Sequence, residues 1–313
     1  MEALIKTERS LPGRTRVVDS VVKGELVSRT LYADASCSQE CARLWETGDY
    51  THLGIAELEN PGLDAVAFLA EFPVIQRLHV LLERKVDLQP VEHHAGTLTS
   101  FFSNDDVNGL SDLRPYECLA SLGQKWSAKT IFPAEWPVLE RLSLVGFQPA
   151  SGNLARLPAG KHLKTLNLMN TKIRSFDGLE RWPTLNDVAI TRAPLLEDIS
   201  PLTRWTFFEH LAFEKCPVLA DFSDAVRQCD IRKLEYLGCA PLPSIGFVHH
   251  MPSLQFFVFL DTDVLDGDMQ PLIEHVNLKH VAFARKKHFS HSDVAVLKLL
   301  RAKQLEAARE PIQ

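Results

Sequence analysis

Residues 163–184 read LKTLNLMNTKIRSFDGLERWPT, and the frame of this stretch decides the fold. Leu163, Leu166 and Leu168 stand in the order L-x-x-L-x-L. Residues 165–168 alternate polar and apolar, the period of a half-buried strand, so Leu166 and Leu168 face one way and Thr165 and Asn167 the other. Apolar residues then recur at every third position, Ile173, Phe176 and Leu179, as in a turn-rich or 3₁₀ return. A unit this short cannot bury its own apolar face and needs a copy stacked on each side.

The copies are there. The frame falls on Ile75/Leu78/Val80, Leu139/Leu142/Leu144, Leu185/Val188/Ile190, Phe208/Leu211/Phe213, Ile231/Leu234/Tyr236, Leu254/Phe257/Phe259 and Leu278/Val281/Phe283. Weaker copies start at Tyr50 (Leu53, Ile55), Leu98 (Phe101, Ser103) and Leu119 (Leu122, Gln124). Starts lie 22 to 24 residues apart from Leu139 to Leu278, and 20 to 25 apart from Tyr50 to Leu139. A bulky apolar residue followed by proline precedes four starts: Phe72-Pro73, Trp136-Pro137, Trp182-Pro183 and Met251-Pro252. Proline lacks an N–H and suits the beginning of a strand better than its middle.

The run L-x-x-L-x-L-x-x-T-x-I-x-x-F-x-x-L of residues 163–179 resembles the leucine-rich repeat family, most closely the short class of about 22 residues found in internalins and phosphatase-regulatory repeat proteins. The resemblance covers residues 50–290. It implies an α/β leucine-rich repeat solenoid of about eleven repeats: a curved horseshoe, a parallel β-sheet on the concave face, and an irregular, 3₁₀ or short helical convex face. The family's asparagine ladder is patchy. Asn170 lies two residues after Leu168, while Cys216 and Asp261 stand near corresponding places, so irregular turns are expected. Internalins are exported and surface-anchored, and the sequence shows neither feature.

Residues 1–48 are not repeat-like. A hairpin is expected from 16–22 and 25–32 about Lys23-Gly24, then a short helix from Ser38 to Trp45, together an N-terminal cap. The solenoid takes 49–290. Residues 291–313 form a C-terminal capping helix, started by Ser292-Asp293, with Val294, Val296, Leu297, Leu300 and Leu305 on its apolar face.

Among 313 residues, 45% are hydrophobic and 24% charged, as in an ordinary globular protein, and the net charge is −6. No long basic tract or RNA-recognition signature is present, which argues against nucleic acid. The N-terminus lacks the apolar core of a signal peptide, and no apolar run is long enough to span a membrane. Six cysteines form no paired framework, and Cys37 and Cys41 read as reduced thiols on a helix turn. A cytoplasmic location follows as the expectation, with no membrane partner.

No catalytic motif is found: no G-x-S-x-G, no phosphate loop, no G-x-G-x-x-G. Cys239, between a strand and a turn, reads as a buried filler. The pairs His93-His94 and His249-His250 put side chains on opposite sides of an extended chain and are poor chelates. Phe102–Gly109 lacks the spaced acidic residues of a calcium loop. No enzyme activity, metal or cofactor is expected.

The residues between the leucines project from the concave wall and supply the expected protein-binding face: His79, Phe102, Arg141, Asn167, Asp187, His210, Glu214, Lys233, Glu235, Phe256 and Val258. Phe256 and Val258 are apolar where solvent-facing residues belong, the pattern of an interface centre, with His210, Glu214, Lys233 and Glu235 as a charged rim. Coverage of Phe256 by the C-terminal helix is the alternative. Arg285, Lys286, Lys287 and His288 form a second, basic cluster suited to a phosphate or an acidic segment. The expected function is non-enzymatic protein binding, as an inhibitor, a bacterial immunity-type protein or a regulatory subunit. The alternatives are a metal- or thiol-dependent enzyme using the His- and Cys-containing C-terminal region, and a structural scaffold.

Overall fold

The computed structural model of the chain describes residues 4–11, 13–219 and 222–307. Contacts divide it into two units, Met1–Val145 and Gly146–Gln313. The first begins with three antiparallel strands, β1 (Ile5–Ser10), β2 (Arg16–Val22) and β3 (Glu25–Tyr32). Lys23 and Gly24 both take positive φ, 55° and 83°, the tight hairpin turn whose twist matches its strands. Helix α1 (Ser38–Thr47) follows. From β3 onward the pairing is parallel and in chain order through β4 (His52–Ala56), β5 (Arg77–Leu81), β6 (Ser100–Ser103), β7 (Ser121–Lys125) and β8 (Arg141–Val145).

The second unit repeats the pattern in β9 (Thr165–Met169), β10 (Asp187–Thr191), β11 (Phe207–Glu214), β12 (Asp230–Leu237), β13 (Phe256–Val258) and β14 (His280–Ala282). Each pairs in parallel with the next. Short helices α2 (Phe222–Ala225) and α3 (Gln270–Glu274) lie between strands, and α4 (Asp293–Ala307) ends the described chain. Strands β4 to β14 coincide with the repeat frame. Register keeps frame positions opposite one another: Leu78 opposes Phe101, and Leu166 opposes Val188, which opposes Leu211. These side chains are buried, as are Ile173, Phe176 and Leu179 of the return path. A slip of one residue would turn every leucine to solvent.

What closes each turn differs from the expected asparagine pattern. The residue after each strand from β8 to β12 has left-handed backbone, Gly146, Asn170, Arg192, Lys215 and Gly238, and so does Asp261, three residues past β13. The N–H groups of Gly146, Asn170, Arg192 and Lys215 donate to the last residue of the next strand, as Asn170 does to Thr191 O (2.9 Å) and Lys215 to Leu237 O (2.8 Å). Asn170 and Asp261 therefore serve as left-handed turn residues. The inward ladder position is the next one, held by Thr171, Ala193, Cys216, Cys239 and Thr262, all buried. Thr171 Oγ1 donates to Phe147 O (2.7 Å), Cys239 Sγ to Phe213 O (3.5 Å) and Thr262 Oγ1 to Tyr236 O (3.0 Å). In return Cys216 N–H reaches Cys239 Sγ (3.4 Å) and Cys239 N–H reaches Thr262 Oγ1 (3.1 Å). The turns thus keep one backbone pattern: where the inward residue is Thr or Cys its short polar side chain bonds the preceding repeat, and at Ala193 a small side chain fills the place without such bonds.

Ring N–H groups tie repeats together at the position that precedes a strand. Trp182 Nε1 donates to Pro158 O (2.8 Å), His94 Nε2 to Leu69 O (2.9 Å) and His275 Nε2 to Met251 O (3.0 Å). The pairs His93-His94 and His249-His250 end 3₁₀ turns and do not lie on extended chain. Ser292 starts α4, its Oγ accepting from Ala295 N–H (3.2 Å). Val296 and Leu300 are buried where α4 meets β14 and α3, whereas Val294 (71% exposed) and Leu305 (62%) lie outside that face.

Two substitutions test the turn chemistry by chemical denaturation. Thr262→Val leaves Cys239 N–H and Tyr236 O buried without their partner and is expected to cost about 1–3 kcal/mol. Lys215→Gly relieves left-handed backbone at an exposed side chain and is expected to gain about 0.5–1 kcal/mol.

Candidate functional site

The parallel strands bury one face in the core and leave the other open. In the Met1–Val145 unit, Tyr32, Gly54, His79, Phe102, Gly123 and Ser143 stand in one register row of that face. The two glycines are required there. A Cβ on Gly54 would lie 2.5 Å from the Tyr32 ring, and one on Gly123 would lie 2.7 Å from the Phe102 ring. Each ring folds over the neighbouring glycine. The Arg16 guanidinium stacks 4.2 Å above Tyr32 while ion-pairing with buried Glu59. His52 and His79 rings lie 4.9 Å apart, and Phe102, 43% exposed, meets His79 edge-on at 5.9 Å. Of the expected residues, His79 and Phe102 thus share an aromatic row. Arg141 stands in the adjacent row with Ser121, Ser100 and Arg77. Tyr32 and His52 were not among the expected residues, and their signal was Gly54, a missing side chain at an outward strand position.

The Gly146–Gln313 unit gathers most of the expected set. Asp187, His210, Lys233, Phe256 and His280 form one row; Asn167, Ala189, Ala212, Glu235, Val258 and Ala282 form the next. Asp187 can only accept, so His210 Nδ1 carries the proton and donates to Asp187 Oδ1 (3.0 Å). His210 Nε2 is buried, lies 3.9 Å from Glu235 Oε1, and has no hydrogen-bond partner among the described residues. Lys233 Nζ approaches the same Glu235 oxygen at 2.5 Å. Phe256 projects beside this network, 39% exposed, with its ring 6.1 Å from His280. Helix α4 does not bury it. A shallow hollow of about 300 Å³ lies between Phe256, Lys233 and His210. Glu214 stands apart in a third row, opposite Thr191, with its carboxylate 3.8 Å from Lys215. The alanines keep the second row low, so the charged pair and the phenylalanine rise above a flat floor.

The basic cluster is divided. Lys286 and His288 both converge on Asp263 Oδ1, at 3.1 and 3.2 Å, leaving Arg285 and Lys287 exposed. Burial works to raise the Asp263 carboxyl, but the Lys286 hydrogen bond and the Lys286 and His288 charges outweigh it and hold its pKa below the ordinary value.

Two thiols and two imidazoles, those of Cys216, Cys239, His94 and His275, are committed to structural bonds. Cys216 and Cys239 occupy the turn ladder, and the Cys239 hydrogen bond together with burial pushes the Cys216 thiol up. Cys37 and Cys41 Sγ lie 3.8 Å apart with Thr15 Oγ1 3.2 Å from Cys41. Among the described residues no helix is long and apolar enough to cross a membrane. No family model matches the chain, and no curated protein matches it.

Burial lowers the pKa of His52 to about 4, with the charges of His79 and Arg77 adding to it, and burial lowers His79, His94 and His275 as well. A histidine depressed in the folded state leaves stability intact above its ordinary value near 6.5. As pH falls from there towards 4 the unfolded chain takes up the proton first, and stability drops. The urea midpoint is expected to fall across that window, and His52→Gln to flatten the part of the fall that ends near pH 4.

Proposed function

We propose that this chain is a leucine-rich repeat protein of the short class, capped by its N-terminal hairpin and helix and by α4, and that it acts in the cytosol as a non-enzymatic binder of a protein ligand. The ligand lies on the open face of the parallel sheet. The observation that carries the reading is Phe256, a half-exposed ring on a strand face where water-facing residues belong, set between Lys233 and His280 and beside Val258. An apolar anchor with a charged surround is the arrangement of an interface centre. The strand backbone holds these side chains in place, so binding orders little and loses little entropy. The Asp187–His210 hydrogen bond and the Lys233–Glu235 pair fix the rim. The commitment of Cys216, Cys239, His94 and His275 to structural bonds favours binding over catalysis. In this reading the chain works by occlusion, as an immunity-type inhibitor or a regulatory subunit does.

A parallel pull-down from native lysate tests it, using wild type and a Phe256→Glu, Lys233→Glu variant that folds normally by circular dichroism. Wild type is expected to recover a partner in stoichiometric amount. With that partner purified, the variant is expected to raise Kd by about thirtyfold or more. An unchanged Kd would move the site off this face.

A further inference from the structure

A cavity of about 730 Å³ opens in the Met1–Val145 unit. The chain after β5, Lys85–Gln89, lines one side, and the chain after β6, Asn108–Asp112, lines another. Its size falls in the usual range of ligand sites, roughly 300–1,000 Å³. The backbone around it says what it takes.

Away from the open face, the repeats carry a second column of single parallel bridges: Ala65 with Asp87, Asp112 with Ile131, Ser175 with Asp198, and Leu242 with Val264. The bridges are intermittent: among the described residues none joins Asp87 to Asp112, Ile131 to Ser175 or Asp198 to Leu242, and the first of these open steps lies at the cavity. The bond directions show two free edges. Asp87 spends its own N–H and C=O on the Ala65 side, donating to Asp64 O (2.8 Å) and accepting from Val66 N–H (3.3 Å). That turns the Val86 C=O and the Leu88 N–H to the other side. On the second edge, Ser111 C=O and Leu113 N–H both bond Ile131, each at 2.8 Å, which turns the Asp112 N–H and C=O away from it. None of these four turned-out groups has a hydrogen-bond partner among the described residues.

A local cause keeps the edges apart. Gln124, which points inward from β7, holds the chain before Asp112 by accepting from Leu110 N–H (2.9 Å) and donating to Leu110 O (3.2 Å). Gly109 lets that chain approach closely, since a Cβ there would lie 2.4 Å from Lys125 O.

We propose that this slot takes an extended, acidic peptide segment of a partner protein as an inserted parallel strand. The middle residue donates its N–H to Val86 O and accepts from Leu88 N–H. The residue before it accepts from Asp112 N–H, and the residue after it donates to Asp112 O. One short strand thus satisfies both edges, as in strand addition at a sheet edge. The acidic preference follows from charge. Asp112 is paired with Arg114 (2.6 Å) and Asp87 accepts from Gln89 N–H (2.9 Å), whereas Lys85 and Lys129 at the cavity make no ion pair among the described residues, and with Lys125 they outnumber Glu92, the remaining lining carboxylate. The site is independent of Phe256 and the open face.

The test uses the full chain and linear peptides selected on it from a phage-displayed library, then synthesised as probes. Selected peptides are expected to be rich in Asp and Glu, and to slow hydrogen exchange at the Leu88 and Asp112 amides. Ser111→Trp, at an exposed position on the cavity lining, is expected to weaken them by about tenfold or more, as is Lys85→Glu combined with Lys129→Glu. The proposal is overturned if no peptide is selected, if those amides are already protected in the free chain or stay unprotected in the complex, or if Ser111→Trp leaves affinity unchanged.

Discussion

From β3 onward every strand depends on the parallel backbone ladder to its neighbours. A segment such as β9 is five residues long and makes no long-range bond to itself. Its N–H and C=O groups and its leucines are satisfied only when β10 stands in register beside it. Loop-closure cost is met repeat by repeat, so contacts stay local in sequence despite the size of the sheet. The Thr171–Cys239–Thr262 set and the ring N–H groups of Trp182, His94 and His275 do the same service where the chain leaves a strand and where it returns to one.

The open face gains its character from what the ladder leaves over. Its side chains cannot rotate out of row, because the backbone beneath them is bonded on both sides. Small residues then matter as much as large ones. Gly54 and Gly123 let Tyr32 and Phe102 lie flat, and Ala189, Ala212 and Ala282 keep a low floor beside Phe256.

Much of this was legible in the sequence. The L-x-x-L-x-L frame located β4 to β14 and the residues on their open face, because a period-two strand inside a period near 23 admits one register. Strand β1 was missed, since all of IKTERS is exposed and an edge strand held only by backbone bonds leaves no apolar pattern. The turn ladder was read one residue early, on Asn170 and Asp261, because asparagine both tolerates left-handed backbone and bonds the backbone through its side chain. Here those duties fall on successive residues. The cavity behind β6 and β7 was illegible as such: its trace was Gln124, a polar residue at a leucine position, which a frame count registers only as a weak repeat.

The direction of the ladder bonds has a mechanical side. In each unit they run along the stacking axis, across the strands. Tension along that axis loads one pair of strands at a time, as in opening a zipper, and does not shear many bonds at once. Such an array yields at low force and lengthens in steps of one repeat. It also re-forms in the same steps, because each freed repeat meets an ordered neighbour waiting as its template.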